Sequence, residues 1–326
     1  MSVAGPAPRP GEPHARSAPA ADGHGSLGIR RAPDRPAAAV LLLHGGRADA
    51  LGPPPALNLP AARMRPLASG LVRATLLDRV LVGHVRYRHR GWNGRREDPV
   101  RDARDALAAV AELAGPVPVV LVGHSMGARA ALRIAAEPQV RGIVALAPWC
   151  PPGEPVGQLA GRRVVALHDP QDRVTSAGGT WSHLARAQEV GARTLGVAMP
   201  EGGHAMLRGY RTWHRLATAL TLGLLGLAPL PAALTGPPGP AAPPVPAGRV
   251  LDEIGRRGRR RADRAGPAQA GGSGRAPAEG QASLRAAKGP PGPNTRAAKR
   301  SPIRRCVAAS GCSPSGSGSS AASASP

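Results

Sequence analysis

At 326 residues the chain has room for one domain of up to about 250 residues plus tails, and 43 glycines, 38 prolines and no phenylalanine imply that not all of it folds. The net charge of +23 would ordinarily point to nucleic acid or an anionic membrane, but roughly half of that surplus lies beyond residue 248. Cys150, Cys306 and Cys312 make no disulfide framework and residues 1–36 hold no apolar leader, so a secreted cysteine-rich scaffold is excluded and a cytoplasmic protein is expected.

Nearly every basic residue is arginine, with Lys288 and Lys299 the only lysines. Together with the richness in Ala, Gly and Pro, this is what G+C-rich codons produce, so arginine abundance by itself says little about function.

Taken in order, residues 1–36 carry too little apolar surface to offset ordering entropy and are expected to be a disordered leader. The run from Ala37 to Leu43 predicts a buried strand that ends in His44-Gly45-Gly46. A helix is predicted over 61–77, with Met64, Leu67, Leu71 and Val72 on one side, and a strand over 79–87 leading into the arginine-rich loop 88–96. Asp98-Pro99 reads as a helix cap followed by a first-turn proline, with Leu107, Val110 and Leu113 as the buried stripe. Strands over 119–122, 140–147, 162–168 and 193–199 then alternate with helices ending near 137, over 176–190 and over about 205–227. This alternation predicts an α/β domain over 37–228, a mostly parallel sheet with helices on both faces. Residues 229–326 turn to Pro, Gly, Arg and Ser without a period and are expected to be a disordered tail. Leu216–Leu234 is apolar, but Pro229 and Pro231 break it and its first part suits a packed helix, so no membrane span is expected.

Chemistry is concentrated in Gly123-His124-Ser125-Met126-Gly127, set between a buried-type strand and a helix. Strand, sharp turn and helix place the Ser125 hydroxyl at an apex, and glycine is needed at 123 and 127 because the two backbones pass closely. The amide of Met126 stands at a helix N-terminus, where negative charge is favoured. A hydroxyl needs a base and the base an orienting acid, both from loops at the carboxyl ends of strands. Asp169 and Asp172 follow the strand ending at His168, and His204 follows the last strand in Gly202-Gly203-His204.

On His44-Gly45-Gly46, the Ser125 pentapeptide, Asp172-Arg173-Val174 and Gly202-Gly203-His204, the chain resembles the α/β-hydrolases over about 37–227, most closely the small, lidless esterase and dienelactone-hydrolase-like members. The resemblance implies Ser125 as nucleophile, His204 as base and then acid, and Asp172 as orienter. It implies an oxyanion hole from the amides of Met126 and of Gly46, with Arg47 as the alternative to Gly46. Families of this type often have glycine where this chain has Asp169, which leaves a second carboxylate near the site; Asp172 is the preferred acid.

The expected function is therefore a serine hydrolase acting on a small ester or thioester. A thioesterase or transacylase on the same triad and a non-catalytic scaffold binding polyanions through Arg256–Arg261 are the alternatives. The stretch 148–161 is too short for a cap domain, so the site should be open, with Trp149 and His124 as candidate pocket residues. Trp149 either walls the pocket or packs under its own loop. Arginines of the 87–96 loop either meet an anionic substrate or form a solvated basic surface. No cofactor is expected, no metal (no histidines pair at helical zinc spacing), no specific nucleic acid and no assigned oligomeric state.

Overall fold

The computed structural model describes residues 25–265 except 238, 240 and 241; the disorder expected for 1–24 and 266–326 lies outside the described residues. Within them, eight strands form one sheet: β1 (Leu27–Arg31), β2 (Ala38–Leu43), β3 (Val80–Val85), β4 (Val119–His124), β5 (Val140–Leu146), β6 (Arg163–His168), β7 (Arg193–Ala198) and β8 (Val245–Pro246). Their order across the sheet is β1-β3-β2-β4-β5-β6-β7-β8, with β1 antiparallel to β3 and every other pair parallel.

Six helices cover it: α1 (Leu59–Ala74), α2 (Asp98–Ala114), α3 (Met126–Arg133), α4 (Ala177–Glu189), α5 (Tyr210–Leu224) and α6 (Ala247–Ala265). The near-continuous apolar strands follow from burial on both faces. In β4, Val119 and Leu121 face the cluster under α2, α3 and α4, while Val120 and Val122 face the one under α1, α5 and α6. α5 shows how the sequence selects its face: Trp213, Leu216, Leu220 and Leu224, at helical spacing, are all buried. Each such side chain stabilises the fold by about 1.5–3 kcal/mol. Leu216, Leu220, Leu224 and Leu234 of the stretch that suggested a membrane span are therefore committed to the core, and no described helix is long and apolar enough to cross a membrane.

The domain bounds expected from sequence are corrected at both ends. Leu27–Arg31 pairs with β3 although it sits in the expected leader, and the Leu27 side chain is fully buried. In the expected tail, Ala247 and Val250 of α6 join the core, with Leu251 and Ile254 packed against it. Both elements escape a periodicity search for the same reason: a short edge strand and an arginine-rich helix each bury only a few side chains. Smaller shifts occur as well. Glu97 rather than Asp98 precedes α2, because the Asp98 carboxylate is taken by Asn93 Nδ2 at 2.7 Å and Arg96 Nε at 3.0 Å.

Histidines make this core acid-sensitive. Burial lowers the pKa of His44 and His168, and pushes His84 down to about 4, His124 to about 3 and His183 to about 4. The unfolded chain binds protons near pH 6.5 and the folded chain only near 3 to 4, so stability is complete above pH 6.5 and drains as pH falls toward 4. Each such histidine contributes a slope of up to about 1.4 kcal/mol per pH unit in that window. A melting temperature dropping steeply between about pH 6.5 and 4.5, with proton uptake on unfolding, is the expected result. A flat profile would mean that these rings protonate inside the fold.

Candidate active site

β2 sends its crossover to β3 on one side, and β4 lies on the other, so the carboxyl ends of β2 and β4 flank the point where strand order reverses. Ligands of open α/β sheets bind in such crevices. His44-Gly45-Gly46 leaves β2 there and Ser125 leaves β4, so two segments far apart in sequence arrive side by side. A Cβ on Gly45 would lie 3.4 Å from Ser125 Cβ.

Ser125 occupies φ 53°, ψ −118°, a conformation that side chains other than glycine rarely adopt. It is held there from three directions. Its N–H donates to Leu146 O at 3.0 Å, and its carbonyl accepts Arg129 N–H at 3.1 Å and Trp149 N–H at 3.3 Å. The turn is tight because a Cβ on Gly127 would fall onto Leu43 O and within 2.5 Å of His44 O, while one on Gly123 would lie 2.5 Å from Ala128 Cα.

His204 sits on the loop after β7, with Nε2 2.9 Å from Ser125 Oγ and Nδ1 2.9 Å from Asp172 Oδ2. One tautomer satisfies both contacts: Nδ1–H donates to the carboxylate and Nε2 accepts the hydroxyl proton. The Asp172 side chain is fully buried. Burial alone would raise its pKa, but the N–H groups of Val174 at 2.8 Å and Thr175 at 3.2 Å on Oδ1, with His204 on Oδ2, bring it below the ordinary value. The carboxylate thus stays ionised beside the imidazole. Asp169 does not reach His204 through its carboxylate. It accepts Gln171 N–H at 2.8 Å and Gly203 N–H at 2.7 Å, pinning the loop one residue before the histidine.

Several supporting residues were not legible in the sequence. Thr175 Oγ1 lies 2.9 Å from Asp172 Oδ2, to which it donates, and 3.1 Å from His204 Nδ1. His168 Nε2 approaches the same carboxylate oxygen at 3.2 Å. Their only signal was position: both flank the acid within four residues. Thr175→Val removes one donor to a buried carboxylate and should lower kcat by about tenfold with little change in KM. Steady-state kinetics check this; an unchanged kcat would leave Thr175 a purely structural contact.

His124 and Trp149, the two candidate pocket residues, lie elsewhere than on an open wall. The His124 ring is buried and its Nε2–H donates to His204 O at 2.9 Å, so it holds the histidine loop from below. Trp149 is half-buried, packed with Trp92 around the Arg129 guanidinium, which lies 4.4 Å from one ring and 3.8 Å from the other. Arg129 in turn pairs with buried Glu154 at 2.7 Å, which also meets Arg133. This network fastens residues 147–162 to α3; that segment holds only a short 3-10 turn, Gly157–Leu159, and forms no cap.

Arg47 N–H donates to Arg90 O at 3.0 Å, which removes it from consideration as an oxyanion donor. The amides of Gly46 and Met126 have no acceptor among the described residues. Gly46 is wedged against the Met126 side chain and Arg90 O, where no Cβ fits. From it opens a cleft of about 330 Å³ lined by Arg47, Arg90, Asn58 and apolar groups such as Pro55 and Leu57. Burial pushes the Cys150 thiol up to about 12, so it is not a thiolate at neutral pH. Among the described residues no group of three or more His, Cys, Asp or Glu side chains is placed to hold a metal ion.

A family model described as "Serine aminopeptidase, S33" matches residues 80–195, a span that includes Ser125 and Asp172 and stops before His204. Solved structures with similar folds include an α/β hydrolase enzyme, MGS-M1, from a Medee basin deep-sea metagenome library, at 15% identity over 65% of this chain and 98% of that one, with TM-score 0.48. Another is the thermophilic esterase Est2 of Thermogutta terrifontis, at 17% identity over 62% and 89%, with TM-score 0.47. A third is an alpha-beta serine hydrolase homologue from Coxiella burnetii, at 15% identity over 59% and 89%, with TM-score 0.44. A search of the curated proteins found no match.

Proposed function

We propose that this chain, which has the α/β-hydrolase fold, is a serine hydrolase that cleaves a small ester or thioester through Ser125, His204 and Asp172. The reading is carried by one observation: the unbroken path from Ser125 Oγ through His204 to the buried Asp172 carboxylate, each link 2.9 Å. In the first step His204 Nε2 takes the hydroxyl proton as Oγ attacks the carbonyl. The imidazolium then gives that proton to the departing alcohol or thiol, leaving the acyl group on Ser125. Water, deprotonated by the same ring, attacks the acyl-enzyme and releases the acid with the serine restored. The negative oxygen formed in each step is assigned to the amides of Met126 and Gly46; one such donor typically lowers the barrier by ~3 kcal/mol.

A thioesterase or transacylase would use the same three residues and differ in the acyl carrier or acceptor. An aminopeptidase is less well supported, because the cleft at Gly46 is lined by two arginines and by no acidic residue to hold a substrate ammonium. A reducing compartment such as the cytoplasm suits a chain with three cysteines and no disulfide framework. Labelling with a fluorophosphonate, followed by peptide mapping and a panel of esters and acyl thioesters, tests the assignment. Modification at Ser125 with turnover of at least one panel member is expected. Absence of both would sink it.

A further inference from the structure

We infer that the substrate of this site carries an anionic group close to its scissile carbonyl, held by the guanidinium groups of Arg47 and Arg90. The inference rests on the hydrolase reading above and narrows its substrate class. The cleft that receives the anion is lined by Gly46, a proposed oxyanion donor, and so adjoins the reacting centre.

The two arginines come from different segments, but their backbones are joined. Arg47 N–H donates to Arg90 O at 3.0 Å, and Trp92 N–H donates to Arg47 O at 2.9 Å. Both residues line the same cleft, and neither side chain has a carboxylate partner among the described residues. Two of Arg90's neighbours in its loop are neutralised, while Arg95 is exposed. Arg88 pairs with Asp102 at 2.5 Å and Asp105 at 2.9 Å, and Arg96 with Asp98 at 3.0 Å. The loop is thus not a uniformly solvated basic surface: Asp98, Asp102 and Asp105 of α2 neutralise Arg96 and Arg88, Arg95 is exposed, and Arg90 lines the cleft.

No acid lines the cleft; Asp49, the nearest in sequence, is not among the lining residues. His44 stays neutral at working pH because burial lowers its pKa. The walls are apolar, with Pro55 and Leu57, so the bound group is an anion on a short apolar arm. Two planar guanidinium groups suit the oxygens of a carboxylate or a phosphate. A carboxylate would lie on the acyl side of a dicarboxylic half-ester, a phosphate on a short leaving group such as that of a 2-phosphoethyl ester.

Two probe pairs separate these sources: p-nitrophenyl hydrogen succinate against p-nitrophenyl butyrate, and 2-phosphoethyl butyrate against ethyl butyrate. In at least one pair, kcat/KM should favour the anionic member by about tenfold or more. The preference should shrink toward parity as salt rises from about 0.05 M to about 1 M. It should also be lost in the Arg47→Gln, Arg90→Gln double variant, whose backbone pairing does not involve the side chains. Binding of the same probes to Ser125→Ala, read by calorimetry, reports the cleft independently of chemistry. Tighter binding of an anionic member without wild-type turnover would overturn the triad and keep the cleft. Equal binding and equal turnover within both pairs, or a preference that survives the double variant, would overturn this inference and leave the triad standing.

Discussion

Ser125→Ala should abolish ester turnover, lowering kcat by at least about a thousandfold, while the far-ultraviolet spectrum and the melting temperature stay close to those of the parent protein. The hydroxyl makes one side-chain hydrogen bond, to His204, so its loss removes little that holds the fold. Alanine inherits the φ of 53° that serine already tolerates. Glycine at 125 separates the two effects further. It relieves a backbone conformation that costs other residues about 1–3 kcal/mol, so Ser125→Gly should be as inactive and melt higher. Parallel thermal scans and turnover assays on the two variants decide the matter. Retention of esterase activity in either would remove Ser125 from the chemistry.

Gly127→Ala should destabilise the fold severely. An alanine Cβ there would collide with the carbonyl oxygen of Leu43 and lie 2.5 Å from that of His44. Both belong to backbone at the end of β2, a strand paired on both sides, so neither can swing away like a side-chain tip. Relief requires α3 to lift from the sheet, which disturbs the Ser125 turn and the Gly46 segment together. We expect a loss of about 3 kcal/mol or more, seen as a much lower denaturation midpoint or as insoluble protein. Gly178→Ala is the matching control, since its nearest neighbour, Ser176 Oγ, would lie at 3.6 Å. Equal stability of the two variants would show that the sheet gives way more easily than its pairing implies.

How much of this was readable from the sequence follows from what each residue does. Ser125, Asp172 and His204 each stand just after a strong apolar strand, so position along the chain located them, and the structure brings the three into contact. The oxyanion candidates Gly46 and Met126 were legible for the same reason; excluding Arg47 required its backbone partner, Arg90 O, which no local pattern announces. Thr175, His168 and the pinning role of Asp169 were hidden because they act through side-chain geometry across a loop. Trp149 was an even choice between pocket and packing, and the Arg129 guanidinium between two indoles places it in packing. Of the fold, the central parallel strands were plain from their β-branched runs. The edge strand β1 and helix α6 were not, because the sequence around them is dominated by the composition of the flanking regions.

The attachment of α6 to the sheet changes what the arginine run 256–261 means. Charges on a loose tether would be smeared over a large volume and could wrap around any polyanion they met. Here Val250 is anchored in the protein interior and the run continues along the same helix, so Arg256, Arg257, Arg260 and Arg261 border one fixed groove with Pro229 and Leu230. A shortened protein ending at residue 229 would lose this groove together with part of the core beneath it, whereas one ending at residue 265 would keep both. The folded body therefore ends beyond the arginines rather than before them.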